Sequence, residues 1–457
     1  MGFASTYLDT RAIFPQKIEE APHKETGIIV VVPAYNEPEI TVLLDSLADC
    51  TAPECRVEVI VVVNAPDDVS PESIENNRKS LINIESWKKT NTESFFRLFA
   101  FNIERFSVAG WGVGLARKTG MDEAVRRFNI INNPDGVILN LDADCTVEKN
   151  YFLTICNKIL KSKEISACSI YFEHPLTGNK YPATIYRYIT FYELHLRYFF
   201  QALAYTGFPY VFHTVGSAIA VKALPYVKAG GMNRRQAGED FYFIQKLVPS
   251  GGYINLNSTT VYPSPRTSFR VPFGTGASIR KLSDDKSSTL LTYNILAFKE
   301  LKTFFEQADG FFEHTPGQLD NNFSLMPPGL RMFLDKKEFI NKLNEIRDNT
   351  SGIVSFKKRF FGWFNMFKVV KYLNYVHLEF YEKKPVDISA LEFLEMNDLI
   401  SESKESIDLL LYYRSLEKNC LSKFPPLGGQ GAKNHEYREC KGQRTMSTKG
   451  GKGIKRD

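Results

Sequence analysis

Three stretches of this chain, GIIVVV (residues 27–32), VEVIVVV (57–63) and GVILNL (136–141), are continuous apolar runs rather than alternating ones. A strand with one wet face alternates apolar and polar residues, whereas a strand covered on both faces stays apolar throughout. Between the runs lie segments of helical period, EITVLLDSLADC and GLARKTGMDEAVRRF. The second of these gathers Leu115, Met121, Ala124, Val125 and Phe128 on roughly one face. FFRLFAF (95–101) and ISACSIYF (165–172) read as further strands. Strand-helix-strand repetition of this kind predicts an α/β fold with a mostly parallel, doubly wound sheet and right-handed crossovers. Such sheets bind ligands beyond the carboxyl ends of their strands.

Composition divides the rest. Residues 1–26 form an N-terminal arm, 27–283 the sheet domain, 284–422 a helical region rich in Leu, Phe, Lys and Glu, and 423–457 a polar, glycine-rich, basic tail. The basic, aromatic stretch 357–381 has two readings: an amphipathic helix lying on a membrane surface, or a core-facing helix packing on the sheet domain. A net charge of +5 over 457 residues, with acids interspersed among the bases, gives no reason to expect nucleic acid as a partner. The seven cysteines (Cys50, Cys55, Cys145, Cys156, Cys168, Cys420 and Cys440) include no CxxC pair, which fits a reducing, cytoplasmic compartment. No run of about 18 apolar residues marks a membrane span. The expected localisation is therefore cytoplasmic, with the inner membrane face as the surface that the helical region would touch.

The chemistry begins where the third apolar run ends, in LDADC. Alternate residues of an extended segment point the same way, so Asp142 and Asp144 project together from the strand's end. Adjacent carboxylates repel unless a cation or proton stands between them. One reading is a hard divalent ion, Mg2+ or Mn2+, with coordination positions left for phosphate oxygens. The other is an N-cap for a helix starting near Thr146 or Glu148, and spacing alone leaves the two equal. Elsewhere, PAYNEPEI (33–40) places Asn36 and Glu37 at the end of the first strand, where Pro33 is expected to stop the ladder. In GGMNRRQAGEDFYF, Gly230 and Gly231 permit a tight turn, and Glu239 with Asp240 opens an amphipathic helix.

In their order and context, IIVVVPAYNE, LNLDADC and GGM…GEDFYF resemble the family 2 glycosyltransferases over roughly residues 27–265. The resemblance implies a nucleotide-diphospho-sugar transferase sheet of the A type and an inverting, metal-dependent transfer of a sugar to an acceptor hydroxyl. It implies a nucleotide-sugar donor and a saccharide or lipid-linked acceptor, as in polysaccharide or glycoconjugate synthesis. By the same resemblance, Pro33, Tyr35 and Glu37 line the base and ribose pocket. Asp142 contacts ribose or metal, Asp144 ligates Mn2+ or Mg2+, and Asp240 is the base within the Glu239-Asp240 motif. Arg117 and Lys118 stand as diphosphate contacts at a glycine-containing helix entry. The chain departs from the family after the second strand, where VNAPDD offers Asn64 to the base edge. The loop 263–281, which mixes Arg266, Arg270 and Arg280 with Gly274 and Gly276, reads as a lid over the diphosphate or as a plain connection. His213 reads as a core histidine or a further metal ligand. A sugar nucleotidyltransferase would also use paired carboxylates and Mg2+, but it calls for a glycine-rich basic loop where this chain has PAYNEPEI. A non-catalytic sugar-nucleotide-binding scaffold would be expected to lack one of the four carboxylates Asp142, Asp144, Glu239 and Asp240.

Overall fold

The computed structural model describes residues 2–106, 111–235, 238–268, 274–286, 288–399 and 403–419. Arg270, Cys420, Cys440 and the tail from 423 lie outside the described residues. Two compact units are present: one of residues 1–186 and 213–281, the other of residues 187–212 and 282 onward.

The first unit is built on an eight-stranded sheet in the order β3-β2-β1-β4-β7-β6-β8-β5. Its strands are β1 (Thr26–Ala34), β2 (Arg56–Pro66), β3 (Phe96–Phe106), β4 (Val137–Asn140), β5 (Thr146–Val147), β6 (Ala167–Phe172), β7 (Ile219–Lys222) and β8 (Tyr253–Tyr262). The three apolar runs become the neighbours β2, β1 and β4, paired in parallel with Ile28 opposite both Val57 and Val137. Every residue of β1 and β4 is buried, as strands with helices on both faces require. Beyond β4 the sheet turns mixed. Here β7 runs antiparallel to both β4 and β6, while β6 and β8 pair in parallel. Pro33 does not end the ladder. It lies inside β1, opposite Val62, and the strand continues to Ala34.

Helix Val113–Ile130 packs across β1 and β2 at close range because Gly120 lacks a side chain. A β-carbon there would meet Val31 Cγ1 at 2.4 Å. The helix also carries Arg127, fully buried and doubly hydrogen-bonded to the buried Glu58 of β2. Geometry of this quality is what a buried pair needs to offset its desolvation.

The second unit is helical and has an aromatic centre. Phe304, on helix Ile295–Glu306, lies within 5.0 to 6.1 Å of the rings of Phe305, Phe311, Phe339, Phe360 and Phe364. The stretch 357–381 forms most of helices Ile353–Trp363 and Met366–Glu379. Their Phe360, Phe361, Val369, Tyr372 and Val376 side chains are buried within this unit. The apolar side chains of that stretch are thus turned inward, while Leu378 at the end of the second helix remains 82% exposed. Residues 187–212, which sequence order places inside the sheet domain, group with the helical unit. There Glu193 binds both Arg197 and Arg414, and Arg197 binds Glu417, all four side chains being buried.

Phe304→Ala removes the ring on which five others converge. It is expected to lower the unfolding free energy of the helical unit by about 3–5 kcal/mol. Urea titration followed by circular dichroism measures this, and a loss below about 1 kcal/mol would show that the cluster does not carry the core.

Candidate active site

Parallel strands β1 and β4 finish at the same edge, and the chain beyond each carries the acids. After Ala34, Asn36 adopts a left-handed conformation (φ 57°), which asparagine tolerates better than most residues. The turn is pinned from helix Pro71–Thr90, where Asn77 Oδ1 accepts from the Asn36 amide at 2.8 Å and Asn76 donates to Asn36 Oδ1 at 2.6 Å. This turn buries Glu37, whose carboxylate accepts from the Arg266 guanidinium. Arg266 also donates through Nε to Asp144 Oδ2, at 2.7 Å. Arg266 therefore bridges the turn after β1 and the acid pair after β4.

Asp142 and Asp144 do not cap a helix. Residues 146–147 form β5, and the next helix, Tyr151–Ile155, follows Asn150. Their side chains are 39% and 24% exposed, whereas Glu37 and Glu239 are buried. Asp142 is held by Arg117, whose other terminal nitrogen pairs with Glu239. Glu239 and Asp240 begin helix Glu239–Leu247 behind Gly238, which takes φ 71°, and Asp240 Oδ1 accepts from the Phe241 amide at 2.7 Å. Two guanidiniums thus tie together four of the acids singled out from sequence, and Asp240 stands beside Glu239.

Burial sets the protonation of the second pair. It pushes Glu239 up to about 7, against the opposing pull of Arg117, and the neighbouring Asp240 charge adds to the rise. Asp240 is likewise raised by burial, with Arg117 and the Phe241 amide acting against it. Glu239 is thereby poised for proton exchange near neutrality, with Asp240 raised beside it and the same cation restraining both.

Other sequence candidates land elsewhere. Lys118 is buried away from these acids. It binds Asp122 Oδ2 at 2.9 Å and donates to the Tyr7 hydroxyl at 3.0 Å, fastening helix Ser5–Arg11 to helix Val113–Ile130. Asn64 uses its side-chain amide on the Gly112 carbonyl, at 3.0 Å, joining the end of β2 to the start of that helix. Tyr35 sets its ring edge-to-face with Trp111, centroids 5.0 Å apart. His213 packs edge-on against Phe172, and its backbone carbonyl accepts from Ser169. Nothing in the sequence of the basic loop distinguishes Arg266 from Arg270 and Arg280; Arg266 is seen to meet the acids, and Arg270 lies outside the described residues. Sequence reading also gave no signal for Asn77 or Gly216, whose roles depend on contacts remote in the chain.

Among the described residues no three His, Cys, Asp or Glu side chains form a metal-holding group on their own. The donor set still suits a hard ion. Two partly exposed carboxylates one residue apart are what such an ion takes from protein when phosphate oxygens fill its other positions. The Arg266 guanidinium, seated on Asp144, is a protein-borne cation at that place.

Residues 29–222 match the model described as Glycosyl transferase family 2. A search of curated proteins found no match. Among solved structures, the chain is similar to TarS 1-349 of S. aureus at 14% identity, with 86% of this chain and 91% of that one covered and a TM-score of 0.35. Against the longer TarS chain it spans 36% of the length, with 52% of this chain covered, at 18% identity and TM-score 0.33. The mannosyltransferase PcManGT of Pyrobaculum calidifontis, solved with GDP-Man and Mn2+, aligns at 15% identity over 92% of this chain and 93% of its own, TM-score 0.33. No helix among the described residues is long and apolar enough to cross a membrane.

If Asp240 works as a base, kcat/KM should rise with pH along an acid limb lying above the ordinary aspartate range, because burial raises its carboxyl. Glu239→Gln should move that limb to lower pH, because it removes a neighbouring negative charge and leaves more of Arg117's field on Asp240. A pH-rate profile on both proteins measures this, and an unmoved limb would detach it from the pair.

Proposed function

We propose that this chain, whose residues 29–222 match the glycosyl transferase family 2 model, is an inverting transferase that moves a sugar from a nucleoside-diphosphate donor to an acceptor hydroxyl. The observation that carries this reading is the gathering of Glu37, Asp142, Asp144 and Glu239, with Asp240 alongside, at one sheet edge under two arginines. A leaving diphosphate needs positive charge, and an acceptor alcohol needs a base. The cluster offers both kinds of group.

In this reading Asp240 takes the proton as the acceptor oxygen attacks the anomeric carbon from the face opposite the diphosphate, and the carbon–oxygen bond to the diphosphate breaks with inversion. The nucleotide lies along Pro33, Tyr35 and Glu37, where the Tyr35–Trp111 pair offers apolar ring surface to a base. Asp144, with Asp142, would hold Mn2+ or Mg2+, which when bound supplies charge to the departing diphosphate. Arg266, 27% exposed and already a cation at Asp144, adds to that charge. A saccharide or lipid-linked hydroxyl is the acceptor class, in polysaccharide or glycoconjugate synthesis.

Thermal-shift titration with nucleotide sugars, with and without Mn2+, tests the donor side. The expected outcome is a metal-dependent rise in melting temperature that Asp144→Asn abolishes and Asp240→Asn keeps. Turnover of Asp240→Asn should fall about 10²- to 10⁴-fold, the usual worth of a general base. Full turnover in Asp240→Asn would remove the base assignment, and a chain that neither shifts nor transfers with any nucleotide sugar would overturn the reading as a whole.

A further inference from the structure

Arg117 occupies a place that a substrate contact would not. Its side chain is 5% exposed, and its two terminal nitrogens are divided between Asp142, at the exit of β4, and Glu239, at the start of helix Glu239–Leu247. These two acids are separated by nearly a hundred residues of chain, and the guanidinium is the described group that touches both. Burial opposes its charge, while Asp142, Glu239 and Asp240 all favour it. The charge is already matched from within.

The platform around it is closed on two further sides. Gly216 lies so near that a β-carbon would sit 2.3 Å from Arg117 Nη1 and 2.7 Å from its Cζ. Gly216 precedes β7, the strand that pairs with β4, with Ile219 opposite Asn140. The strand pair that presents Asp142 therefore also presents the wall behind Arg117. On the other side, Gly114 lets the first turn of helix Val113–Ile130 press against the segment leading to Glu239: a β-carbon on Gly114 would fall 2.2 Å from the Arg235 carbonyl oxygen. A long side chain held this way has few rotamers to lose and one geometry to impose.

We propose that Arg117 is a positioning residue, a buried clasp that holds Asp142 and Glu239 in fixed relation and thereby aims Asp240 at the acceptor oxygen, rather than a contact to the donor's diphosphate. This rests on the transferase reading above and gives a distinct role to a residue that the family resemblance would hand to the donor. A fork that spans two carboxylates cannot be replaced by a point charge, because an ammonium reaches one or the other.

The test uses the full chain with Arg117→Lys, Arg117→Met, Glu239→Gln, the double variant Arg117→Met/Glu239→Gln, and Gly216→Ala, which keeps the arginine but crowds it. Steady-state kinetics give kcat and donor KM, calorimetry gives affinity for the nucleoside diphosphate, and thermal melting gives stability. A clasp predicts that Arg117→Lys and Gly216→Ala both lower kcat about 10²-fold or more while diphosphate affinity changes less than about threefold, losses of positioning rather than of binding. It also predicts that the double variant is no slower than Arg117→Met alone, since the two residues act as one unit. A tenfold loss of diphosphate affinity in Arg117→Met that Arg117→Lys restores, with kcat intact, would identify a donor contact and overturn the proposal. So would additive effects in the cycle. Should Arg117→Met fail to fold, Arg117→Lys and Gly216→Ala decide the matter. If the wild type transferred from no nucleotide sugar, the transferase reading would be at fault. The clasp would then stand or fall on whether the melting temperatures of Arg117→Met, Glu239→Gln and their double variant are non-additive.

Discussion

Five carboxylates converge on one edge of a sheet whose interior is almost wholly aliphatic, and their mutual repulsion is the constraint on which the local structure depends. At 4 Å two like charges repel by about 4 kcal/mol in surroundings of effective dielectric 20. An uncompensated cluster would therefore neutralise by taking up protons or would pull the edge apart. The chain answers with two guanidiniums, each bridging two acids that arrive from different strands or helices. Burial above all, with neighbouring carboxylate charge adding to it, raises the Glu239 and Asp240 carboxyls against the pull of Arg117. The features that make the edge costly to assemble also give it, in Glu239, a group able to exchange a proton near pH 7.

The scaffold makes the convergence possible by geometry rather than by chemistry. Parallel pairing sends the carboxyl ends of β1 and β4 to the same edge, and the antiparallel insertion of β7 beside β4 brings Gly216 back to it. Helix Val113–Ile130 can press on β1 and β2 only because Gly120 is bare, and its first turn can reach the segment before Glu239 only because Gly114 is. Arg117 thus stands on a helix fixed at two points along its length, which is how a side chain on a rigid element holds angle as well as distance.

The sheet's central strands were legible because continuous apolar runs have few other uses in a chain of this composition. The runs at 27–32, 57–63 and 136–141 became β1, β2 and β4, with their parallel pairing. The two-residue β5 carries no period to read, and its presence is what removed the helix-cap account of Asp142 and Asp144. Residues 187–212 looked like part of the sheet domain because sequence order is silent on which core a helix joins. The buried Glu193, Arg197, Arg414 and Glu417 group, spanning more than 200 residues, settles it in favour of the helical unit. Among the site residues, the acids followed from motif order, but the roles of the bases did not. Arg117 and Lys118 are neighbours on one helix, yet one faces the acids and the other faces Asp122 and Tyr7, a division set by helical rotation and tertiary contacts.

The two bridging arginines differ in a way that assigns them different work. Arg117 is enclosed by a glycine wall and a buried glutamate, and removing one partner of such a pair costs about 3–5 kcal/mol because the other is left uncompensated. Arg266 sits on the connection after β8 with 27% of its side chain in solvent, and its partner Asp144 is 24% exposed. Ion pairs open to water contribute about 0–1 kcal/mol, so this contact can be surrendered at little cost to a more highly charged occupant. The transferase proposed above needs one cation that stays at the site and one that yields to a diphosphate. The burial of Arg117 and the exposure of Arg266 divide those two requirements between them.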